Sequence, residues 1–154
     1  MKTNLQNSNE IFSYLRSIND LIKNPIGREL GYEKLKALEV ETFNPGLQMY
    51  SCYLKGKYYS FLHRENPNNG TKHLEYASDY FGEIFQIAKE NELNIKNPKY
   101  HFLNAHTKFQ LSKYHLAESQ RNHFYNVAKR LTVIGLNQFK DNESLIWLNN
   151  QFKE

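Results

Sequence analysis

Histidines are the residues of this chain best suited to metal binding or acid–base catalysis, and the sequence contains 6 of them. His101 and His106 are five positions apart, so their side chains would point in different directions on a helix. His115 and His123 would lie about two turns apart, too far for both to bind one ion. No histidine has a carboxylate three positions before it, which is the arrangement of di-iron helical bundles. The spacing predicts no metal site and no cofactor.

A row of carboxylates is the second pattern that could do chemistry. Glu75, Asp79 and Glu83 recur every four residues, so they follow one face of a predicted helix. If this face bordered a cleft, the row could act in acid–base catalysis or hold a cation. Such rows are more often exposed, and we expect this one to meet solvent, a basic helix or a partner.

The motifs of other enzyme classes are missing from the sequence. It contains no glycine-rich nucleotide-binding loop and no nucleophile elbow. Small all-α ribonucleases of the HEPN kind are similar to this chain in size and helix content. Their motif is an arginine followed by a histidine after four to six residues, but Asn126 stands at the required position after Arg121. We therefore expect a non-catalytic protein. A degenerate HEPN-like subunit, acting as an antitoxin or structural partner, is one alternative.

The composition predicts one helical domain over residues 1–154, with 40% hydrophobic and 23% charged residues. The 20 Lys and Arg exceed the 16 Asp and Glu only slightly, and they are scattered along the chain. Cys52 is the only cysteine, so no disulfide can form within the chain. No segment approaches the ~20 apolar residues of a membrane span, and residues 1–10 lack a secretory apolar run. We expect a cytoplasmic protein with no membrane partner.

The elements that would position these residues are about seven helices, with no strand. Apolar residues at helical spacing place them at about residues 8–22, 28–42, 47–64, 71–91, 97–111, 117–135 and 143–152. Residues 1–7 are expected to form a frayed tail, and the last helix to cap the core. Gly135 is placed at a helix end, because glycine adopts the left-handed cap conformation without strain. Gly56 inside the third helix indicates close contact with a neighbouring helix.

Short connections between these helices predict antiparallel hairpins. The fourth helix is apolar on two sides, so we expect it to be packed on two sides, as in a stack. A shift of 40 residues aligns Ala77 with Ala117 and Ala88 with Ala128. Paired alanines at one offset indicate an internal repeat. The sequence therefore predicts an all-α fold of stacked antiparallel helical hairpins.

One segment of this predicted stack, residues 105–117, resembles a tetratricopeptide repeat. Ala105 and Ser112 stand where that family has small residues, Tyr114 stands where it has an aromatic after the turn, and Ala117 matches the alanine of the second helix. The resemblance covers one unit, at about residues 97–135. It implies stacked hairpins in which the first helix of each pair lines a concave, ligand-binding side.

The predicted function is therefore that of a protein- or peptide-binding module with a regulatory or scaffolding role. The resemblance implies Lys99, His106 and Gln110 as binding residues on the groove side of one helix, with Lys55 and Tyr59 on the third helix as neighbours. The second alternative is a nucleic-acid-associated protein, suggested by the net charge of +4 and the basic, tyrosine-rich third helix. Binding measured at rising salt concentration would distinguish a peptide-binding from a nucleic-acid-binding protein, because binding driven by phosphate contacts weakens steeply as salt rises. The oligomeric state is left open.

Overall fold

The computed structural model describes residues 7–114 and 117–152. Within these ranges the regular structure consists of seven α-helices and a short 3₁₀ helix at Val40–Thr42, with no strand. The α-helices are α1 (Ser8–Lys23), α2 (Arg28–Lys36), α3 (Pro45–Glu65), α4 (Lys72–Glu90), α5 (Pro98–Leu111), α6 (Glu118–Gln138) and α7 (Glu143–Asn150). The predicted all-α class is confirmed.

Asparagine side chains define where several helices begin. In each case the side-chain oxygen accepts a hydrogen bond from a backbone N–H of the first turn, which would otherwise lack a partner. The capping residues of α1, α3, α5 and α7 are Asn7, Asn44, Asn97 and Asn142. In α3 and α5 a proline follows the cap, where its missing N–H carries no penalty. Of the predicted tail, residues 1–6 lie outside the described part, and Asn7 belongs to the start of α1.

Two helix ends differ from the prediction. The second helix ends at Lys36 instead of near residue 42. The backbone N–H and the hydroxyl of Thr42 both donate to the Glu39 carbonyl, and this local turn replaces the helix. The sixth helix continues past Gly135 to Gln138. A Cβ at Gly135 would lie 3.0 Å from the Cβ of His101, so this glycine serves close helix packing and not a cap.

The helices pack as consecutive antiparallel pairs, α1 with α2, α3 with α4 and α5 with α6. Both α1 and α2 contact α3, and α4 contacts α5, so the three hairpins form a stack. At the end of the stack α7 packs on α5 and α6 and buries Leu145 and Leu148 completely. As predicted, α4 is packed on two sides, by α3 and α5.

Three small residues show how closely neighbouring helices approach. A Cβ built on Gly56 of α3 would lie 2.5 Å from the ring of Phe81 on α4, which confirms the predicted close contact. Ala105 and Ala128 are both fully buried where α5 packs on α6. Ala117, which the resemblance placed within the second helix of the unit, is instead exposed at the N-cap of α6.

Candidate binding groove

Three connected clefts run along one side of the stack. The first has a volume of about 600 Å³ and lies between α1 and the N-terminal halves of α3 and α5. It shares Tyr53 and Lys99 with a second cleft of about 160 Å³. The second shares Ser60, Arg64 and Leu103 with a third of about 20 Å³. Because neighbouring clefts have walls in common, we treat them as one channel, called the groove below.

The groove is lined by the first helix of each hairpin. On α3 and on α5 four of the lining side chains recur after four, three and four residues, which is one continuous face of a helix. They are Tyr53, Lys57, Ser60 and Arg64 on α3, and Lys99, Leu103, His106 and Gln110 on α5. On α1 the same spacing brings in Phe12, Arg16 and Asn19. Leu74 and Phe81 of α4 are buried and form the apolar floor of the second and third clefts.

Three of the predicted binding residues lie in the groove. Lys99 is exposed and borders the first and second clefts, while His106 and Gln110 are half-buried in the wall of the third. They therefore share one face of α5, but Lys99 lies toward one end of the channel and Gln110 toward the other.

Lys55 and Tyr59 do not belong to the groove. The Lys55 ammonium lies 5.6 Å from the ring centroid of Tyr80 on α4. The Tyr59 hydroxyl is 2.9 Å from the hydroxyl of Tyr32 on α2. Both residues thus face the second helices of the hairpins. The reason is geometric, because a helix turns about 200° in two residues, so positions 55 and 59 lie opposite Lys57.

The prediction also missed several groove residues, above all Arg16, Tyr53, Lys57 and Arg64. The spacing of Tyr53, Lys57 and Arg64 along α3 was visible in the sequence. However, α3 is covered on several sides, with Ser51, Cys52, Tyr53 and Leu54 all buried. A helix of this kind has no single apolar stripe that would indicate which face borders a groove.

Each cation of the groove lies over an aromatic ring. The Arg16 guanidinium is 5.9 Å from the centroid of Phe12, and that of Arg64 is 5.3 Å from the centroid of Phe61. The ammonium groups of Lys57 and Lys99 lie 5.4 and 5.2 Å from the centroid of Tyr53. Cation–π contacts of this kind hold a side chain in place without neutralising its charge.

The charge of the groove is uniformly positive. Its described lining includes no Asp or Glu, and none of its cations forms a salt bridge with a described carboxylate. Burial lowers the pKa of Lys57, and the positive charges of Lys99 and Lys23 act in the same direction. Burial alone would raise the pKa of Tyr53, but the nearby ammonium groups of Lys99 and Lys57 outweigh it, and the pKa is lowered. An anion in the groove would therefore be stabilised.

Two histidines stand at the third cleft. Nε2 of His63 is 2.5 Å from the Tyr114 hydroxyl, while its buried Nδ1 has no partner among the described residues. His106 stacks on Phe102 with a centroid distance of 4.9 Å. Burial lowers the pKa of both histidines, helped by His73 at His63 and by Arg64 at His106. Both rings are therefore neutral at physiological pH, so they contribute hydrogen-bonding groups and not charge.

Helix N-termini do not supply a further anion site in the first cleft. The starts of α1, α3 and α5 all border it, and N–H groups at a helix start favour anions. However, the side-chain oxygens of Asn44 and Asn97 already accept from the N–H groups of Leu47 and Lys99. A negative ligand would instead meet the side chains of Arg16 and Lys99.

Other patterns in the sequence lie away from the groove. Glu75, Asp79 and Glu83 are all exposed on α4, which confirms the predicted solvent-facing row. The described residues contain no group of three or more His, Cys, Asp or Glu arranged to hold a metal ion. Across residues 7–114 and 117–152, every helix is too short or too polar to cross a membrane.

The similarity of this chain to known proteins was tested in three ways. No protein-family model matches it, and neither the curated proteins nor the solved structures include a significant match. A functional assignment therefore depends on the groove and its side chains.

Proposed function

We propose that this protein is a non-catalytic binding module whose groove holds an extended segment of another protein. The observation that carries the proposal is the continuity of the three clefts along the first helices of successive hairpins. An extended chain rises about 3.3 Å per residue, so it suits a long, narrow channel better than a compact ligand does. The tetratricopeptide resemblance supports the same face, since it implies a ligand on the side of the first helices.

The composition of the groove supports a protein ligand. Aromatic residues and arginine are enriched in protein interfaces, whereas small-molecule pockets are mostly apolar and more enclosed. Here Phe12, Tyr50, Tyr53 and Tyr100 accompany Arg16 in the first cleft. Apolar side chains of a bound segment would pack on these rings and on the floor of the second cleft.

A cytoplasmic, regulatory or scaffolding role belongs to the same proposal. The single cysteine, Cys52, is buried, and burial raises the pKa of its thiol to about 12. A thiol held in its protonated form reacts slowly with oxidants, which suits a structural role in a reducing compartment. The proposal therefore assigns Cys52 no part in binding.

The test is a selection of random peptides displayed on phage, carried out with the whole chain immobilised. Selected peptides are then measured against a variant carrying Lys99→Ala, His106→Ala and Gln110→Ala. We expect at least a tenfold loss of affinity, about 1.4 kcal/mol. A matched variant with Glu75→Ala, Asp79→Ala and Glu83→Ala should bind like the parent. Equal binding by all three proteins would contradict the groove as the binding site.

Since His106 packs on Phe102 and Trp147, the stability of the triple variant has to be checked separately. Circular dichroism and the melting temperature show whether the fold is kept. If the triple variant is unstable, the Lys99→Ala and Gln110→Ala double variant replaces it. Both of these side chains are at the surface of α5 and leave the His106 stack intact.

Association with single-stranded nucleic acid is the second candidate function. The observation in its favour is that cations scattered in the sequence are gathered with aromatic rings along one groove. Fluorescence anisotropy with labelled oligothymidylate and oligouridylate tests it at rising salt. Sub-micromolar binding that collapses with salt and is lost in the triple variant would favour this candidate.

A further inference from the structure

We propose that the groove selects an acidic segment, in which Asp or Glu residues meet the groove cations and apolar residues lie between them. The inference rests on the proposed function and adds the chemistry of the ligand to it.

Among the described residues, the charged side chains that line the groove are all cations. The groove receives Arg16 from α1, Lys57 and Arg64 from α3, and Lys99 from α5, so cations follow its whole length. The chain has 16 acidic residues, yet none lies among the groove-lining residues that the structure describes. Although the net charge of the chain is only +4, the electrostatic potential in the groove is therefore positive. It would attract an acidic chain and repel a basic one.

The groove cations contact neutral groups, so they can still pair with the carboxylates of a ligand. The Lys57 ammonium donates to the side-chain oxygen of Asn19 at 2.9 Å and otherwise lies over the Tyr53 ring. Arg16, Arg64 and Lys99 are exposed, so a ligand can reach them. The salt bridges formed elsewhere by described residues, Arg28 with Glu65 and Lys36 with Glu33, leave the groove uncompensated.

The aromatic rings favour a peptide over a nucleic acid. Single-stranded nucleic acids bind by stacking successive bases on free aromatic faces. The ring of Tyr53 already carries Lys57 and Lys99, and Tyr100 approaches its edge with a centroid distance of 5.6 Å. The Phe12 ring likewise lies under Arg16 and 5.6 Å from Tyr50. Rings engaged in this way offer side-chain packing but little room for stacked bases.

The order of side chains along the groove specifies the ligand further. Arg16 and Lys99 border the first cleft, and Arg64 joins the second to the third. Between Lys99 and Arg64 the second cleft is mainly apolar, with Leu103 in its wall and Phe81 in its floor, and the cation Lys57 lies beside them. The best ligand therefore has acidic residues on both sides of a leucine, phenylalanine or similar residue.

The first readout is the composition of the phage-selected peptides described above. The proposal expects Asp and Glu to be enriched over the unselected library, with apolar residues between them. Peptides that bind the groove without such enrichment would overturn the acidic preference and leave the proposed function standing. Failure to select any peptide that depends on Lys99, His106 and Gln110 would instead overturn the proposed function.

The second readout uses three labelled peptides of equal length that repeat Glu-Glu-Leu, Gln-Gln-Leu or Lys-Lys-Leu. We expect the glutamate peptide to bind at least tenfold more tightly than the glutamine peptide, and the lysine peptide not to bind. Equal affinity for the glutamate and glutamine peptides would overturn the proposal. Tighter binding of oligothymidylate than of every peptide would also overturn it and favour the nucleic-acid candidate.

A pair of charge reversals shows whether the groove itself is responsible. Lys99→Glu places a negative charge in the groove, whereas Lys55→Glu makes the same change beside Tyr80 on the other side of α3. Both lysines lie over a tyrosine ring, so the two changes are closely matched. Binding of the glutamate peptide should fall at least tenfold in Lys99→Glu and stay within twofold in Lys55→Glu. Equal losses would indicate attraction by net charge alone and overturn the proposal.

Discussion

The ammonium group of Lys99, on α5, lies 5.2 Å from the ring centroid of Tyr53, on α3. This contact joins the first helices of two hairpins, and both residues border the first two clefts of the groove. Tyr53 is buried while Lys99 is exposed, so a ring of the core positions a charge at the surface. Further along α3, the exposed Arg64 lies over the half-buried ring of Phe61 of the same helix.

The contact between α3 and α4 gives the first prediction. Alanine at position 56 would gain about 1 kcal/mol in helix propensity over glycine. Its Cβ, however, would lie 2.5 Å from the Phe81 ring, and this overpacking should cost more than the gain. We expect Gly56→Ala to lower the free energy of urea-induced unfolding by about 1–3 kcal/mol.

Gly46→Ala is the matched control for this substitution. Gly46 lies in the first turn of the same helix, where a new Cβ would meet only the side-chain oxygen of Asn44 at 3.5 Å. It should leave stability unchanged or slightly raised. Equal effects at the two glycines would show that α3 and α4 are not packed closely at position 56.

The second prediction separates two alanines that the sequence pattern treats alike. Ala128 is fully buried in the interface of α5 and α6, whereas Ala117 is exposed at the N-cap of α6. Ala128→Leu should lower the free energy of unfolding by about 1–3 kcal/mol, which would appear as a strongly lowered melting temperature. Ala117→Leu should change stability by less than about 0.5 kcal/mol. A larger loss at Ala117 would contradict its exposed position.

Lys108 gives a prediction about pH. Its ammonium donates to the side-chain oxygen of Asn104 at 2.6 Å and to that of Ser78 at 3.1 Å. Burial lowers its pKa to about 8, although the charge of Asp79 acts in the opposite direction. An unfolded lysine has a pKa of about 10.4. At a pH between these two pKa values, Lys108 is protonated more often in the unfolded chain than in the folded protein. Its contribution to the free energy of unfolding therefore rises with pH over this interval.

The measurement compares the parent protein with Lys108→Met from about pH 7 to about pH 9 by urea unfolding. The penalty for burying the charge is fully present below the folded pKa and is relieved as pH rises through it. Relative to the variant, the parent should gain about 1 kcal/mol over this range. The range stays below the titration of most tyrosines, such as Tyr100, whose pKa burial raises to about 12. Parallel pH curves for the two proteins would contradict the prediction.

Much of the architecture could be predicted because it is encoded locally. The start of α5 follows from the Asn-Pro pair at residues 97–98, which stands directly before an apolar helical pattern, so the asparagine can cap the helix and the proline fits its first turn. Gly56 could be predicted to lie at a helix–helix contact, because glycine destabilises a helix interior and is expected there where a larger side chain would not fit. The solvent-facing row on α4 follows from helical spacing alone.

The groove was harder to predict because it depends on which helix faces the neighbours cover. On α5 the resemblance to a repeat unit indicated the face that borders the groove, and Lys99, His106 and Gln110 lie on it. On α3 no comparable pattern was available, and the prediction chose Lys55 instead of Lys57. Gly135 shows the same limit, because a glycine near the end of a helix can serve as a cap or as a contact, and only its neighbours decide.

The central claim is that a peptide binds along the first helices of the hairpins. It is tested most directly by titrating the isotope-labelled protein with a phage-selected peptide and mapping the amide chemical-shift changes. The largest changes should occur along α3 and α5 at the groove, for example at Tyr53, Ser60 and Leu103. Exposed positions of α6 such as Lys129 should not change. Changes concentrated on α6 and α7, around the exposed Val133 and Trp147, would contradict the claim.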